Sequence, residues 1–403
     1  MNSARGIVIW FIATLFVIYA FCLNTAAAVF SPVIQTSLHA SNLSVAMAMG
    51  TFILGFACMQ IPAGFLLDTY DAKWVVSAGV LLLAIGNLLV SFTDNIVLYA
   101  FSNGIQGMGA SFAFIAAAVL IAQWFSEKTF PILFGLTQTL SCILSALIHY
   151  GFIEALVTHP WNVLYRDLAG AGFVLAILSI CLITSPPNQQ KEAPLSLKKS
   201  LSMVLHNKQM ILCALAAATS FGVVLAYAGF WYTKVETFYA VSTLNAAITS
   251  GMIFFGIGVG TPILGWISNH FNSRVMIIHV SLCLGTMALI LGIYLPHFQI
   301  KTLIITRIVS FMMGFFLSGA MLLYTVVSEI STNATRGVAI SVTNTAVFLF
   351  NTVMLFSPYL FLTLSSTHFY TYLWIMPFFL TFSILLLYFI KDSFRPEVIT
   401  DLP

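Results

Sequence analysis

Twelve continuous apolar runs dominate this chain, each about as long as a helix must be to cross a bilayer. They lie at roughly 7–30, 45–67, 74–92, 96–122, 132–157, 168–184, 210–234, 244–268, 275–295, 302–327, 338–364 and 371–390. Inside hydrocarbon every backbone N–H and C=O must be paired within the chain, so only helices or closed barrels span it. These runs are continuous rather than alternating ten-residue strands, which excludes a barrel. Composition agrees: 60% of the 403 residues are hydrophobic and only 7% are charged, against about 25% charged in soluble domains. The expected fold is therefore an all-α membrane protein. The N-terminal run, with Arg5 ahead of it and "NTAAA" behind it, has the outline of a signal peptide. It exceeds a signal core in length, and eleven further runs follow, so it is expected to stay as the first helix.

Lysine and arginine placement orients the spans. With both termini inside, the inner loops and tails hold Arg5, Lys73, Lys128, Lys191, Lys198, Lys199, Lys208, Arg274, Arg336, Lys391 and Arg395. The outer side holds only Arg166, Lys234 and Lys301, and Arg307 falls within a run. The longest polar stretch, 185–209, is rich in Pro, Gln and Lys and reads as a linker with a short amphipathic helix. The expected domains are 1–184 and 210–403, each a six-helix bundle, with 185–209 as a cytoplasmic linker between them. The six cysteines all fall in apolar runs without metal or CxxC spacing and are expected to be buried hydrophobes. "GIGVG" at 256–260 has no preceding strand and reads as helix packing, not a nucleotide loop. Of the sequons at 42–44 and 333–335, the second is expected on the cytoplasmic side.

The halves echo one another. "GFLLDTYDAK" from Gly64 pairs with "GWISNHFNSR" from Gly265, an offset of 201. "NGIQGMG" from Asn103 pairs with "RIVSFMMG" from Arg307, offset 204, and "TQT" at 137 with "TNT" at 343, offset 206. Three echoes in order point to duplication.

These residues give the chain its resemblance to the major facilitator superfamily, over its whole length. Gly64, Leu66, Asp68 and Lys73 match the G-x-L-x-D-R-x-G-R-K signature between spans two and three, with Thr69 and Asp71 as departures. The second copy keeps Gly265 and Arg274 but carries Asn269 for the acid. "MQIPAGFLLD", "GLTQTL", "AYAGFW", "GTPILGWIS" and the run from Glu329 through "RGVAISVTN" further resemble anion:cation-symporter-like uptake members. The antiporter signature of span five is absent. The resemblance implies two pseudo-symmetric bundles rocking around a midplane site, and a secondary transporter working by alternating access. It assigns gating to Asp68, Lys73, Arg274, Glu329 and Arg336. It also places spans 1, 4, 7 and 10 along the substrate path, flanked by 2, 5, 8 and 11. The substrate-binding candidates on them are Tyr19, Asn24, Asn103, Gln138, Tyr227, Trp231, Arg307, Tyr324, Asn344 and Asn351, with Gln106 and Tyr232 nearby. Asn103 and Asn24 are neutral where relatives often carry Arg, which argues against an organic anion.

Ionisable groups in the membrane are costly and mark function by default. Arg307 is open to three readings: binding a substrate carboxylate, organising the second half, or snorkelling to the outer surface. His149 and Glu154 are the proton-coupling candidates, with Glu154 alternatively at the water surface; His279 reads as structural. No catalytic constellation is present, so the chain is expected not to be an enzyme and to need no cofactor or metal. Expected partners are a small-molecule substrate, protons as the co-transported ion and membrane lipid. Nucleic acid is not among them, and a monomer is expected. The expected function is uptake of a small polar metabolite across a bacterial inner membrane. The alternatives are efflux of a drug-like or siderophore-like compound, and a transporter-like sensor.

Overall fold

The computed structural model describes residues 3–186, 195–231, 235, 241–295, 302–361 and 373–394. Among them all regular secondary structure is helical, with no strand. The helices run α1 Ser3–Ser37, α2 Asn42–Thr69, α3 Ala72–Ser91, α4 Ile96–Trp124, α5 Phe130–Thr158, α6 Trp161–Leu182, α7 Leu197–His206 and α8 Lys208–Ala226. They continue as α9 Thr243–His270, α10 Arg274–Tyr294, α11 Leu303–Leu317, α12 Leu322–Ile330, α13 Arg336–Phe361 and α14 Ile375–Leu387. Among the described residues, eleven helical segments are long and apolar enough to cross a membrane, and α14 is a shorter apolar helix. The short amphipathic α7 falls within the 185–209 linker region.

Helix starts follow from single polar residues that satisfy otherwise orphaned N–H groups. Ser41 accepts from Ser44 N at 3.1 Å, Asn95 from Leu98 N at 2.9 Å and Ser273 from Met276 N at 3.2 Å. Asp71, a departure from the signature, starts α3 in the same way, its carboxylate accepting from Lys73 N at 3.0 Å. Pro62 in α2 and Pro262 in α9 sit inside their helices, 200 positions apart, and each removes one helical hydrogen bond.

The chain forms two compact units. Unit 1 comprises 1–126, 140–203 and 332–342; unit 2 comprises 127–139, 204–331 and 343–403. Each unit thus takes in the opening turns of a long helix whose remainder belongs to the other. Both use the same packing device, small residues that let helix backbones touch where lipid supplies no hydrophobic drive. In unit 1 a Cβ on Gly107 of α4 would lie 1.9 Å from the Phe52 carbonyl oxygen of α2. In unit 2 a Cβ on Gly314 of α11 would lie 1.9 Å from the Ile253 carbonyl oxygen of α9. The "GIGVG" glycines lie within α9, as expected for a packing segment. The thiols divide: Cys22 and Cys213 are buried, but Cys58 and Cys181 are exposed. The expectation of six buried thiols fails there because an apolar face turned to lipid needs no protein cover.

Two irregular turns interrupt the spans of unit 2. A π-helical turn, Tyr227–Trp231, follows α8, and a 3₁₀ turn, Ser318–Met321, separates α11 from α12 within one long span. Such turns concentrate at functional sites and hinges. At the first of them the Ala228 carbonyl accepts from the buried Ser250 hydroxyl.

Candidate functional site

Asp68 stands one residue before the end of α2. Its carboxylate accepts two backbone N–H groups, Gly337 at 2.6 Å and Val338 at 2.9 Å. Those amides lie in the first turn of α13, where helical partners are lacking and the dipole is positive. An acid there makes two charge-assisted hydrogen bonds to backbone, and the charge of Arg336 acts on it electrostatically as well. The close approach depends on paired glycines: a Cβ on Gly64 would be 2.3 Å from the Gly337 carbonyl oxygen, and a Cβ on Gly337 2.4 Å from that of Gly64. Arg336 donates from Nη1 to Asn333 Oδ1 at 3.0 Å. Lys73 is not brought to Asp68: its ammonium lies over the Trp74 ring, 5.2 Å from the centroid.

The second copy, in unit 2, uses different chemistry. Asn269 holds the acid's position, and its Nδ2 donates to the Lys128 carbonyl at 2.6 Å, just ahead of α5. Its Oδ1 accepts from Arg274 Nη1 at 2.6 Å. Arg274 and Glu329 form a buried ion pair, Nη2 to Oε1 at 2.9 Å and Nε to Oε1 at 3.1 Å, with side chains only 1% and 4% exposed. Arg274 Nη1 also donates to Ser268 Oγ at 2.6 Å, and Nη2 to the Glu127 carbonyl at 3.3 Å. All five guanidinium hydrogens therefore have acceptors.

A strap beyond α14 covers this pair. Ser393 donates its hydroxyl to Glu329 Oε2, and the Phe394 ring faces the Arg274 guanidinium at 5.0 Å. Asp392 caps α10, accepting from the Ser273 hydroxyl, Arg274 N at 3.1 Å and Val275 N at 3.1 Å, and also from Phe394 N at 3.0 Å. Partial burial pushes the Asp392 carboxyl upward, but these hydrogen bonds outweigh it and hold the group below its ordinary value. Lys391 N donates to Gln209 Oε1 at 2.8 Å, anchoring the strap to the start of α8.

The polar residues within the spans separate into local networks. In unit 1 the Tyr19 hydroxyl donates to the Leu168 carbonyl at 2.8 Å and accepts from Asn87 Nδ2 at 2.7 Å. Asn87 Oδ1 accepts from Gln106 Nε2 at 3.2 Å. Asn103 Nδ2 donates to the Tyr99 carbonyl one turn earlier, at 2.8 Å. Tyr19, Asn103 and Gln106 thus have helix partners, and Asn24 is half-buried. His149 Nε2 lies 3.0 Å from the Cys22 carbonyl, whereas Glu154 is exposed.

In unit 2 the Tyr324 hydroxyl donates to Asn344 Oδ1 at 2.9 Å, and the Phe134 ring lies 5.9 Å from that of Tyr324. Gln138 is half-buried in the same unit. Tyr227 is fully buried in the π-helical turn. The Trp231 side chain and Tyr232 lie outside the described residues. Asn351 Oδ1 is buried with no hydrogen-bond partner among the described residues. Arg307 Nη2 donates to Asn245 Oδ1 at 3.2 Å, and its buried Nε has no such partner.

Sequence reasoning did not single out Asn87, Asn245, Ser273, Asp392 or Ser393. Ser273 carried a signal, a serine immediately before an apolar run, as N-cap residues stand. Asp392 and Ser393 follow the final run with no spacing that announces their partners.

The chain matches the family model described as Major Facilitator Superfamily over residues 12–353. It is 24% identical over 175 residues to the multidrug resistance protein MdtL of Citrobacter koseri, covering 41% of this chain and 45% of that protein. It is 21% identical over 162 residues to MdtL of Vibrio parahaemolyticus, covering 40% and 41%. The matched region thus spans less than half the length of these curated relatives. Among solved structures, the superfamily transporter FucP in its outward conformation superposes with a TM-score of 0.74 at 15% identity, covering 96% of this chain and 99% of that one. The proton:xylose symporter XylE bound to 6-bromo-6-deoxy-D-glucose gives 0.72 at 15% identity, covering 98% and 97%.

Proposed function

The chain belongs to the Major Facilitator Superfamily and is a membrane transporter, and we propose that it takes up a small polar metabolite by alternating access. The observation that carries this reading is the carboxylate of Asp68 on the first-turn amides of α13. Two charge-assisted hydrogen bonds to backbone are strong enough to hold one state and few enough to release it. Arg274 and Glu329 act as the fixed counterpart, with Arg336 beside the Asp68 contact and Lys73 as a solvated charge. Twelve crossings, the last through α14, two six-helix bundles at 1–184 and 210–403, cytoplasmic termini and a bacterial inner membrane complete the proposal.

Substrate recognition is assigned to the amides and aromatics of the spans, with Gln138, Asn344, Tyr324 and Asn351 as first choices. Asn351 Oδ1, without a hydrogen-bond partner among the described residues, supports this, since a buried acceptor left alone is costly and a ligand N–H or O–H would satisfy it. His149 is the proposed proton carrier, being an imidazole at a helix–helix contact. A second reading, export of a drug-like compound, is favoured by the partial match to MdtL.

Thermal stabilisation of the purified protein by a metabolite panel, at about pH 5.5 and 7.5, selects ligands by mass action. Flux of the resulting ligand into proteoliposomes of known orientation then tests the reading. Inward flux abolished by Asn351→Ala supports uptake. Flux only in the opposite direction supports export, and a ligand that binds but never crosses supports a sensor.

A further inference from the structure

Arg307 lies four residues into α11, about 6 Å along the helix from its first residue. It is half-buried within a span. No carboxylate among the described residues is within ion-pair distance of it. The sole hydrogen bond of the guanidinium among the described residues runs from Nη2 to Asn245 Oδ1, at 3.2 Å. The Nε hydrogen is buried and has no acceptor among the described residues. Contrast Arg274, whose five hydrogens are all accepted and whose charge is matched by Glu329. One arginine is structurally complete; the other lacks an anion among the described residues.

The surroundings hold Arg307 in one orientation. Ser242, the N-cap of α9, accepts from Asn245 Nδ2 at 3.0 Å. This fixes the amide so that its oxygen faces Arg307. An amide oxygen lowers the cost of burying a guanidinium but does not neutralise it. A carboxylate or phosphate oxygen at Nε, with a second at an adjacent Nη, would meet both requirements through the fork geometry of arginine. Phe311 and Phe315 follow at four-residue steps, on the same face of α11 as Arg307. Phe311 also contacts Phe255 of α9, ring centroids 5.7 Å apart. Deeper in, α9 and α11 close on each other, where a Cβ on Gly256 would lie 2.2 Å from the Phe311 carbonyl oxygen. A ligand therefore cannot pass between these helices below Arg307.

We infer that Arg307, positioned by Asn245, is an anion site that takes the carboxylate or phosphate group of a molecule whose apolar body lies against Phe311 and Phe255. This rests on the transport reading and goes beyond it, replacing the small polar metabolite with an amphiphilic organic anion as the substrate class. It runs against the expectation drawn from the neutral Asn24 and Asn103, because unit 2 supplies the cation that those positions lack. The same chemistry is offered by the headgroup of an anionic lipid, since Ile304 and Ile308 beside Arg307 are 68% and 57% exposed.

The test uses the full chain in neutral detergent, with octanoate, benzoate and inorganic phosphate as free probes and nanodiscs with or without phosphatidylglycerol as the lipid arm. Octanoate should raise the melting temperature of the wild type. Arg307→Gln should weaken octanoate binding on the order of tenfold or more, and Arg307→Lys, which keeps charge but loses the fork, by less. Asn245→Asp supplies the missing carboxylate internally, so it should raise the basal melting temperature while abolishing the octanoate shift. A merely structural Asn245 would not produce that pair of effects, and this variant keeps the test decisive if Arg307→Gln fails to fold. Stabilisation by phosphatidylglycerol alone, lost in Arg307→Gln and Asn245→Asp, identifies the anion as lipid. Stabilisation by any of these anions that persists in both variants, or none in the wild type, overturns the site. Solute flux that survives Arg307→Gln would overturn only the anionic substrate class. Absence of flux for every stabilising ligand would overturn the transport reading itself.

Discussion

The two copies of the repeated loop, after α2 and after α9, each reach the start of another helix, but by opposite means. Asp68, expected from the sequence to be a gating acid, meets two backbone N–H groups, with the Arg336 charge acting on it as well. Asn269, its counterpart, donates to a carbonyl instead and hands the charge to Arg274 and Glu329. The first contact is a carboxylate on two backbone amides of a helix terminus, whereas the second is a guanidinium with all five hydrogens accepted, under a strap. The difference teaches that a duplicated motif need not duplicate its energetics: the first copy rests on two hydrogen bonds to backbone and the second on a buried ion pair.

The largest effect is expected where a partner's loss strands a charge. Glu329→Ala should destabilise unit 2 by roughly 3–5 kcal/mol, as for buried pairs broken on one side, seen as a large fall in melting temperature. If Glu329→Ala melts like the wild type, the second copy is no more fixed than the first. Asp68→Asn should cost about 1.5–3 kcal/mol at the α13 contact, in the range of hydrogen bonds to charged groups. Its signature should be lost transport with a smaller fall in melting temperature than Glu329→Ala gives.

Removing the α10 cap in Asp392→Ala should cost about 1 kcal/mol, measured by thermal unfolding at neutral pH. The sign of its pH dependence follows from the lowered carboxyl of Asp392. A group depressed on folding stabilises above its unfolded value, about 3.9, and loses that contribution as pH falls through its folded value. The melting gap between wild type and Asp392→Asn should therefore narrow from about pH 4 downward and stay flat above about pH 5. Lys73→Ala should be nearly silent, within about 0.5 kcal/mol, because its ammonium sits over Trp74 rather than on Asp68.

Much of the fold could be read from the run lengths, since hydrocarbon allows few alternatives to helices of that length. Asp68 could be singled out too, because a charge is conspicuous in a chain this apolar. The acceptor side was not legible. Asp68 bonds to backbone amides, which no residue pattern reveals, and Lys73 offered a more obvious partner that the fold does not use. Asp392 and Ser393 reach Ser273, Arg274, Val275 and Glu329 from more than 60 residues away, so only tertiary structure pairs them. Tyr19 and Gln106 could be picked out as polar, but Asn87, which joins them, lies on α3, outside the helices assigned to the substrate path. The π-helical and 3₁₀ turns left little trace beyond Gly229 and Gly319, two glycines among the 25 in the chain.

Hydrogen exchange at the Gly337 and Val338 amides, compared between wild type and Asp68→Asn, is the measurement to make first. If Asp68 holds the start of α13, both amides are protected in the wild type. They should then exchange on the order of tenfold faster in the variant, while the Val275 amide under Asp392 is unchanged. Equal exchange in the two proteins would mean that the carboxylate does not hold that helix, and the releasable latch on which the transport proposal rests would have to be given up.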